Sequence, residues 1–173
     1  MSHCIINANA KVVGLCSYAA TAIEIVSLLM VREIGIIQLP CPEMTVYGLK
    51  RWGHVREQFN YPYYREKCRQ IVKPIIDQLI DYLNNGYKLT GIIGVDGSPS
   101  CGVHQTCSGA WGGELTADSG IVDKLSQVKL VNKQGIFMEE IIELLKMANL
   151  DIPLAAIDEL DVKGSVKNIE QLI

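Results

Sequence analysis

The sequence lacks any apolar run long enough to cross a membrane, and it lacks the features of a signal peptide. A membrane-spanning helix needs about 18–20 apolar residues. The longest apolar stretch near the start, residues 18–31, is interrupted by Glu24 and is followed directly by Arg32 and Glu33. The opening Met-Ser-His-Cys has neither a basic nor an apolar region. We therefore expect a cytoplasmic protein with no membrane partner.

An excess of charge of either sign is also missing. The chain has 16 Lys and Arg residues against 19 Asp and Glu residues, which gives a formal net charge of −3. Proteins that bind nucleic acid polymers carry a basic patch, so such a partner is excluded. The hydrophobic fraction of 49% and the length of 173 residues are typical of one folded domain, which we predict to span residues 1–173.

Several short motifs are absent. No C-x-x-C pair, P-loop or G-x-G-x-x-G occurs, and His3, His54 and His104 share no metal-binding spacing. A zinc ribbon, a thioredoxin-like site, a ferredoxin cysteine run and a nucleotide-binding loop are therefore unsupported. The six cysteines are expected to be thiols or metal ligands rather than disulfides, because disulfides are rare in a reducing compartment.

Helical and extended patterns alternate along the chain. The predicted helices cover residues 17–32, 61–85, 138–148 and 166–173, and the predicted strands cover 34–39, 89–95 and 154–157. Residues 128–137 are predicted to form a small hairpin or a strand with a turn around residues 133–135. Pro74 is expected to kink or divide the second helix. This alternation favours an α/β fold in which helices cover both faces of a short, mostly parallel sheet.

Ligands of such sheets bind beyond the carboxyl ends of the strands, which indicates two cysteine-bearing loops. Cys41 lies between two prolines after the first predicted strand, and Cys101 lies in Ser-Pro-Ser-Cys-Gly after the second. The prolines stiffen one loop, and Gly97 and Gly102 allow close backbone approach in the other. The alternatives, a packed thiol and an ordinary tight turn, remain open from these residues alone.

The other cysteines give weaker signals. Cys4 lies close to the start of the chain, where a disordered tail is the alternative to a ligand role. Cys68 falls on the apolar stripe of the helix over residues 61–85 and is predicted to be a core residue. Cys16 is interpreted as structural. Cys107 is interpreted in the same way, with a role as an extra ligand or sulfur acceptor as the alternative.

Three motifs together resemble the thiouracil desulfidase family, within it a desulfidase branch of anaerobic bacteria. They are Ser-His-Cys-Ile-Ile-Asn at residues 2–7, Cys-Pro-Glu at 41–43 and Ser-Pro-Ser-Cys-Gly at 98–102. The resemblance implies a Rossmann-like three-layer α/β sandwich. It also implies a 4Fe-4S cluster on Cys4, Cys41 and Cys101, with one iron that has no protein ligand, and it implies catalytic roles for Glu43 and Ser98.

The activity implied by this resemblance is desulfidation without net redox change. An open iron is a Lewis acid with affinity for sulfur, so a thiocarbonyl group would be polarised there for attack by water. Glu43 would serve as general base and then general acid, and Ser98 would donate a hydrogen bond or relay a proton. The expected reaction converts C=S to C=O in a small thiolated compound and releases hydrogen sulfide.

Two departures from the family pattern bear on substrate and assembly. The family has Gly-Gly-Leu-Pro after Cys-Pro-Glu, whereas this chain has Met-Thr-Val-Tyr-Gly-Leu-Lys-Arg-Trp at residues 44–52. These residues are expected to line the substrate pocket, so the substrate need not be thiouracil. Family members have a full strand before the first cysteine, whereas three residues precede Cys4 here. The sheet edge left by that difference would offer a surface for a homodimer.

The sequence leaves other interpretations open. Aromatic and basic residues crowd residues 47–64, where they either stack a planar thiolated heterocycle or pack as an ordinary loop and helix start. For the whole protein, the alternatives to an enzyme are a non-catalytic iron–sulfur or zinc-binding sensor and a plain α/β scaffold. Glu43 and Ser98 favour the enzyme, because a carrier needs neither.

Overall fold

The structure is a computed structural model, and it describes residues 1–114, 116 and 120–173. Within these residues the helices are α1 (His3–Ile6), a 3-10 turn (Ala8–Ala10), α2 (Ile23–Val31), α3 (Pro42–Tyr47), α4 (Arg56–Phe59), α5 (Pro62–Asn84), α6 (Ile121–Ser126), α7 (Ile136–Met147) and α8 (Val162–Leu172). The strands are β1 (Ile92–Val95), β2 (Thr106–Ser108), β3 (Lys129–Val131) and β4 (Leu154–Ile157).

The described strands form two pairs, one parallel and one antiparallel. β1 and β4 are parallel, with Ile92 opposite Leu154. β2 and β3 are antiparallel, with Thr106 opposite Val131. A single bridge from Gly97 to Thr106 links the end of β1 to β2. The fold is therefore a mixed α/β fold, and its strand pairs are both parallel and antiparallel.

Helices pack on both faces of the β1–β4 pair. Successive side chains of a strand point to opposite faces, and Ile92 accordingly packs with the buried residues of α5 and α7. Ile93 and Val95 instead pack with buried residues of α1, α2 and α8. This arrangement fits the α/β class that the sequence predicts. The finer description as a Rossmann-like three-layer sandwich stays a prediction.

Elements with a strong local pattern lie where the sequence predicts them. The helix expected over residues 61–85 is α5, which runs through Pro74 without a break. The expected division of the helix is therefore wrong. Pro74 lies on the exposed face of α5. β4 matches its predicted bounds. The helix expected over 17–32 is shorter, because α2 begins at Ile23.

One predicted strand is wrong, and one of the two alternatives for another segment is wrong. Residues 34–39 do not form a strand, because the first residues of the chain lie between them and β1: Leu39 N donates to Met1 O over 2.8 Å, and Ser2 N donates to Ile93 O over 2.8 Å. Residues 128–137 form the strand with a turn that the sequence predicts as one alternative, not the hairpin: the strand is β3 (Lys129–Val131). β3 pairs with β2 instead, and Phe137 is buried in the first turn of α7.

Among the described residues, no helix combines the length and the apolar character that a membrane crossing requires.

Candidate functional site

The Cys41 loop ends in the N-terminus of α3. Cys41 is the N-cap of this helix, and its Sγ accepts a hydrogen bond from Met44 N at 3.4 Å. Pro42 fills the first helical position, where its missing N–H costs nothing and its fixed φ suits the helix. The helix geometry therefore fixes the thiol and also carries Glu43 in the same first turn.

The Cys101 loop follows β1 and is organised by Ser98. Ser98 Oγ accepts hydrogen bonds from Ser100 N at 3.3 Å and from Cys101 N at 3.0 Å. A Cβ on Gly102 would lie 2.1 Å from Gln105 O, so only glycine fits this turn. The hydroxyl that the sequence predicts to be catalytic is therefore used by the loop backbone.

Glu43 is buried between a serine and an arginine. Ser100 Oγ donates to Glu43 Oε1 over 2.6 Å, and Arg51 Nε donates to Glu43 Oε2 over 3.1 Å. Arg51 also donates to Ala10 O at 2.7 Å and to Gly48 O at 3.2 Å. Glu43 is 8% exposed and Arg51 is 9% exposed. The serine in contact with Glu43 is thus Ser100 rather than Ser98.

Cys4 lies in a helix, so the alternative of a disordered tail is wrong. It lies in α1, and its carbonyl accepts a hydrogen bond from Tyr18 Oη at 3.1 Å. An ion pair between Lys11 and Glu159, both largely buried, acts electrostatically on its thiol. Burial is the largest cause of the raised pKa of Cys4, and the charge of Cys101 is the second largest.

The three predicted ligand thiols are within electrostatic range of one another. The pKa of Cys101 is raised to about 12, first by burial and next by the charge of Cys41. Burial also raises the pKa of the Cys41 thiol, whereas the hydrogen bond from Met44 N acts to lower it. Cys101 and Cys41 both act on Cys4. The fold therefore brings together three thiols that are distant in sequence.

Several buried polar atoms near these thiols have no hydrogen-bond partner among the described residues. They are Ser2 Oγ, His3 Nε2, His54 Nδ1 and Tyr64 Oη. The Ser2 hydroxyl lies close enough to Cys101 to lower the pKa of its thiol, although it meets no partner at hydrogen-bond geometry. Buried polar groups are nearly always paired with protein or with ordered water, so each of these atoms has room for one further partner.

The aromatic residues of the segment over 47–64 divide into two sets. His54 packs against both Tyr47 and Phe59, with ring centroids at 4.7 and 4.9 Å, and these two rings also stack on each other at 5.6 Å. Tyr64 stacks on Phe59 at 4.4 Å. Trp52, by contrast, is 71% exposed. The inner set packs in the core, so stacking of a planar substrate on the whole segment stays a prediction.

The remaining cysteines differ in their surroundings. Cys68 is fully buried and packs in one cluster with Cys101 and Tyr64, which confirms it as a core residue. Cys16 is exposed. Cys107 donates from its Sγ to His54 O over 3.3 Å, and burial and the charge of Glu43 raise its pKa to about 11. Its alternative role as an extra ligand stays open.

No compact ion site accompanies the thiols. Among the residues that the structure describes, no three His, Cys, Asp or Glu side chains are grouped closely enough to hold a metal ion. An apolar cavity of about 700 Å³ lies elsewhere, along Ile37, Leu39, Ile76 and Ile92. Its lining contains none of the predicted site residues, so we do not connect it with the chemistry at the thiols.

The sequence gives little sign of some residues that complete the site. Ser100 is one of two hydroxyls in a loop where turn formation already explains serine. Arg51 belongs to a basic and aromatic run with no evident partner, and Lys11 precedes Glu159 by 148 residues. The two buried basic residues, Lys11 and Arg51, are recognisable as parts of ion pairs only once the fold places carboxylates beside them.

The comparisons with known proteins give one relative of uncharacterised function. The chain is 30% identical over 177 aligned positions to "Uncharacterized protein MJ0003" of Methanocaldococcus jannaschii, and the alignment covers all of this chain and 94% of the archaeal protein. The chain belongs to the MJ0003 family. No family model matches the sequence. No solved structure matches it. Membership of the MJ0003 family carries no assigned activity, so the site itself is the basis for a function.

Proposed function

We propose that the protein is a desulfidase that removes sulfur from a small thiolated compound at the site formed by Cys4, Cys41 and Cys101. The observation that carries the proposal is the contact between the three segments that bear these thiols. Ser100 Oγ donates to Glu43 Oε1 over 2.6 Å, and Leu39 N donates to Met1 O over 2.8 Å. The carboxylate of Glu43 lies beside them, joined to the Cys101 loop through Ser100. We also propose that the chain has the Rossmann-like three-layer sandwich of the thiouracil desulfidase family.

The donor atoms of these residues are of the type that iron–sulfur clusters take, but among the residues that the structure describes no three such side chains are grouped closely enough to hold a metal ion. Three cysteine thiols are the donor type that such clusters take, and the unpaired hydroxyls of Ser2 and Tyr64 are donors available to a sulfur acceptor. When bound, a 4Fe-4S cluster with one iron free of protein ligands would supply a Lewis acid for sulfur. The six cysteines are all free, which suits a reducing compartment such as the cytoplasm.

The chain's own residues would act on water and on protons. The carboxylate of Glu43 would accept a proton from the attacking water and return it to the leaving group. Arg51 and Ser100 hold that carboxylate by both oxygens, so they orient it toward one position. Ser98 would act indirectly, because it fixes the backbone of Ser100 and Cys101.

The test is the iron and acid-labile sulfide content of protein purified without oxygen, followed by a hydrogen sulfide assay on thiolated nucleobases. We expect about four irons per chain, as a cubane with cysteine ligands requires. Cys101→Ser should lose the iron, whereas Cys16→Ser, at an exposed thiol, should keep it. Iron without sulfide release would instead support the non-catalytic sensor, and no iron after anaerobic reconstitution would reject the proposal.

A further inference from the structure

The first two residues of the chain lie like a short strand between two backbone edges. Met1 N donates to Ile37 O over 2.7 Å, and Leu39 N donates to Met1 O over 2.8 Å. These two bonds, to residues two positions apart, are the pattern of a parallel ladder. On the other side, Ser2 N donates to Ile93 O of β1 over 2.8 Å. The two edges are therefore two strand spacings apart at this point, roughly 9.6 Å.

The apolar cavity of about 700 Å³ continues from this point between the same two edges. Its lining includes residues 34–37 on one edge and residues 89–93 on the other. Helices α5 and α7 cover one face of the β1–β4 pair, and α2 and α8 cover the other. All four helices contribute aliphatic side chains to the lining, namely Ile75, Ile76, Leu79, Ile141, Leu29 and Leu172. The cavity is therefore one strand wide and lies in the layer of the sheet.

Backbone polar groups face this cavity from its edges. Ile92 N bonds toward β4, and alternate residues of a strand bond to opposite sides, so Ile93 faces away from β4. The N–H of Ile93 points the same way as its carbonyl, which is toward the cavity. On the other edge, Ile37 O and Leu39 N both bond to Met1, which is the same alternation. A hydrocarbon ligand leaves such groups unpaired, whereas a peptide backbone pairs them.

The amino group of Met1 lies at one end of the cavity and sets the direction of a strand that could lie there. Met1 belongs to the cavity lining, and its amino group donates to Ile37 O. Burial lowers the pKa of this amino group to about 6. A strand that met Met1 with its own amino end would bring two amino groups together. A strand that met Met1 with its carboxyl end would supply a counter-charge, which favours the protonated amino group.

We propose that this cavity binds the carboxyl-terminal end of an extended apolar peptide, which adds a strand between residues 34–37 and β1. The peptide runs parallel to residues 37–39, and its terminal carboxylate lies at the amino group of Met1. The edge over residues 34–37 accommodates about four residues of extended chain, roughly 13 Å. Because aliphatic side chains line both faces, successive residues of the peptide are apolar, as in buried parallel strands. This mode of binding is strand addition with carboxylate capture, and it is independent of the proposed desulfidase activity.

Fluorescence anisotropy at pH 6 tests the proposal, with Lys-Lys-Gly-Val-Ile-Leu-Val labelled at its amino end as the probe. The free-acid peptide should bind saturably. The same peptide with a carboxamide end should bind about tenfold more weakly, because it lacks the charge-assisted bond to Met1. A peptide with proline in place of isoleucine should not bind, since proline has no N–H for a central strand. Equal affinities for the acid, the amide and the proline peptide would overturn the proposal.

Matched variants locate the peptide on the protein. Gly35 lines the cavity, and a Cβ there meets nothing within 4 Å, so Gly35→Trp should fill the cavity without a backbone clash and abolish binding. Gly53 has the same free space and lies outside the lining, so Gly53→Trp should bind the peptide as the wild type does. Far-UV circular dichroism checks that both variants are folded. Binding that survives in a folded Gly35→Trp protein would place the peptide elsewhere and reject the proposal.

A simpler ligand provides the last comparison, and it needs only the wild type. Decanoate has a carboxylate and an alkyl chain but no peptide groups, so it should displace the labelled peptide poorly. Displacement by decanoate at the concentration of unlabelled peptide that suffices would indicate a fatty-acid site and reject strand addition. No saturable peptide binding up to about 1 mM, a free energy of only about −4 kcal/mol, would also reject the proposal. Neither result depends on whether the protein contains iron or releases sulfide.

Discussion

Ser100 donates from its Oγ to Oε1 of Glu43 over 2.6 Å, although 57 positions separate the two residues. This hydrogen bond ties the first turn of α3, which begins after Cys41, to the loop that carries Cys101. Both side chains are buried. The contact therefore controls the relative position of two predicted ligand loops as well as the orientation of the carboxylate.

The first prediction concerns this hydrogen bond. Ser100→Ala should lower the free energy of unfolding by about 1–3 kcal/mol, because it removes a donor from a buried carboxylate. Urea denaturation measures the change. Ser108→Ala is a matched control, since Ser108 donates to Glu57 over the same 2.6 Å at an exposed position. Its cost should stay within about 0.5 kcal/mol, and equal losses in the two variants would contradict the role of burial.

The second prediction concerns the arginine on the other side of Glu43. Arg51→Met should cost about 3–5 kcal/mol, because it leaves a buried carboxylate without its charged partner. The double variant Arg51→Met with Glu43→Gln should recover part of this loss, since no unpaired charge remains. Chemical denaturation of the two proteins measures the difference.

An exposed ion pair provides the comparison for that experiment. Arg32 pairs with Glu170, and both side chains are nearly half exposed. Arg32→Ala should therefore cost no more than about 1 kcal/mol. If Arg51→Met were as mild as Arg32→Ala, the buried pair would not be holding Glu43 in place.

Local patterns in the sequence account for part of the fold. α5 and β4 are predictable because the stripe of α5 repeats within one helix and the apolar run of β4 lies between Pro153 and Asp158. The segment over residues 34–39 has an equally clear apolar pattern and is nevertheless not a strand. Its position depends on Met1 and Ser2, which lie between it and β1. Strand pairing depends on such distant neighbours, and a single segment does not reveal them.

The candidate site is likewise predictable from local sequence patterns only in part. Cys41 and Cys101 are predictable as loop thiols because each stands beside rigid or turn-forming residues. The contact of Glu43 with Ser100 instead of Ser98 is not predictable from the sequence. Both are serines in one turn, and only the folded backbone decides which hydroxyl reaches Glu43. Tyr64 looks like any other apolar member of the α5 stripe until its hydroxyl is found without a partner among the described residues.

The third prediction concerns pH. Asp96 is half-buried, and burial acts to raise its pKa, but hydrogen bonds from His104, Val103 and Gln105 outweigh burial and hold the pKa below its usual value. A carboxyl whose pKa is lower in the folded state stabilises the protein above the unfolded pKa of about 3.9. This contribution is lost as the pH falls from there through the folded pKa.

The free energies of unfolding of wild type and Asp96→Asn, measured from pH 6 to pH 2, check this prediction. The wild type should be the more stable protein by a constant amount above about pH 5. Below about pH 4 the difference should shrink, because Asp96 becomes protonated. A difference that stays constant to pH 2 would show that these hydrogen bonds do not favour the charged form.

The fourth prediction concerns the turn that presents Cys101. A Cβ at Gly102 would lie 2.1 Å from Gln105 O and 2.9 Å from Ser98 O. Both atoms are backbone, so neither can move aside without shifting the loop. Gly102→Ala should therefore cost at least about 1–3 kcal/mol, the range for overpacking, measured by chemical denaturation.

Gly53→Ala separates this clash from the general effect of replacing a glycine. Nothing lies within 4 Å of a Cβ at Gly53, and its φ is not in the left-handed region. That substitution should be neutral or slightly stabilising, because alanine has less conformational freedom in the unfolded chain. If Gly102→Ala were equally neutral, the turn would have room to relax. The hydrogen bond from Cys101 N to Ser98 Oγ would then not fix the position of the thiol, and Ser98 would lose the structural role that distinguishes it from Ser100.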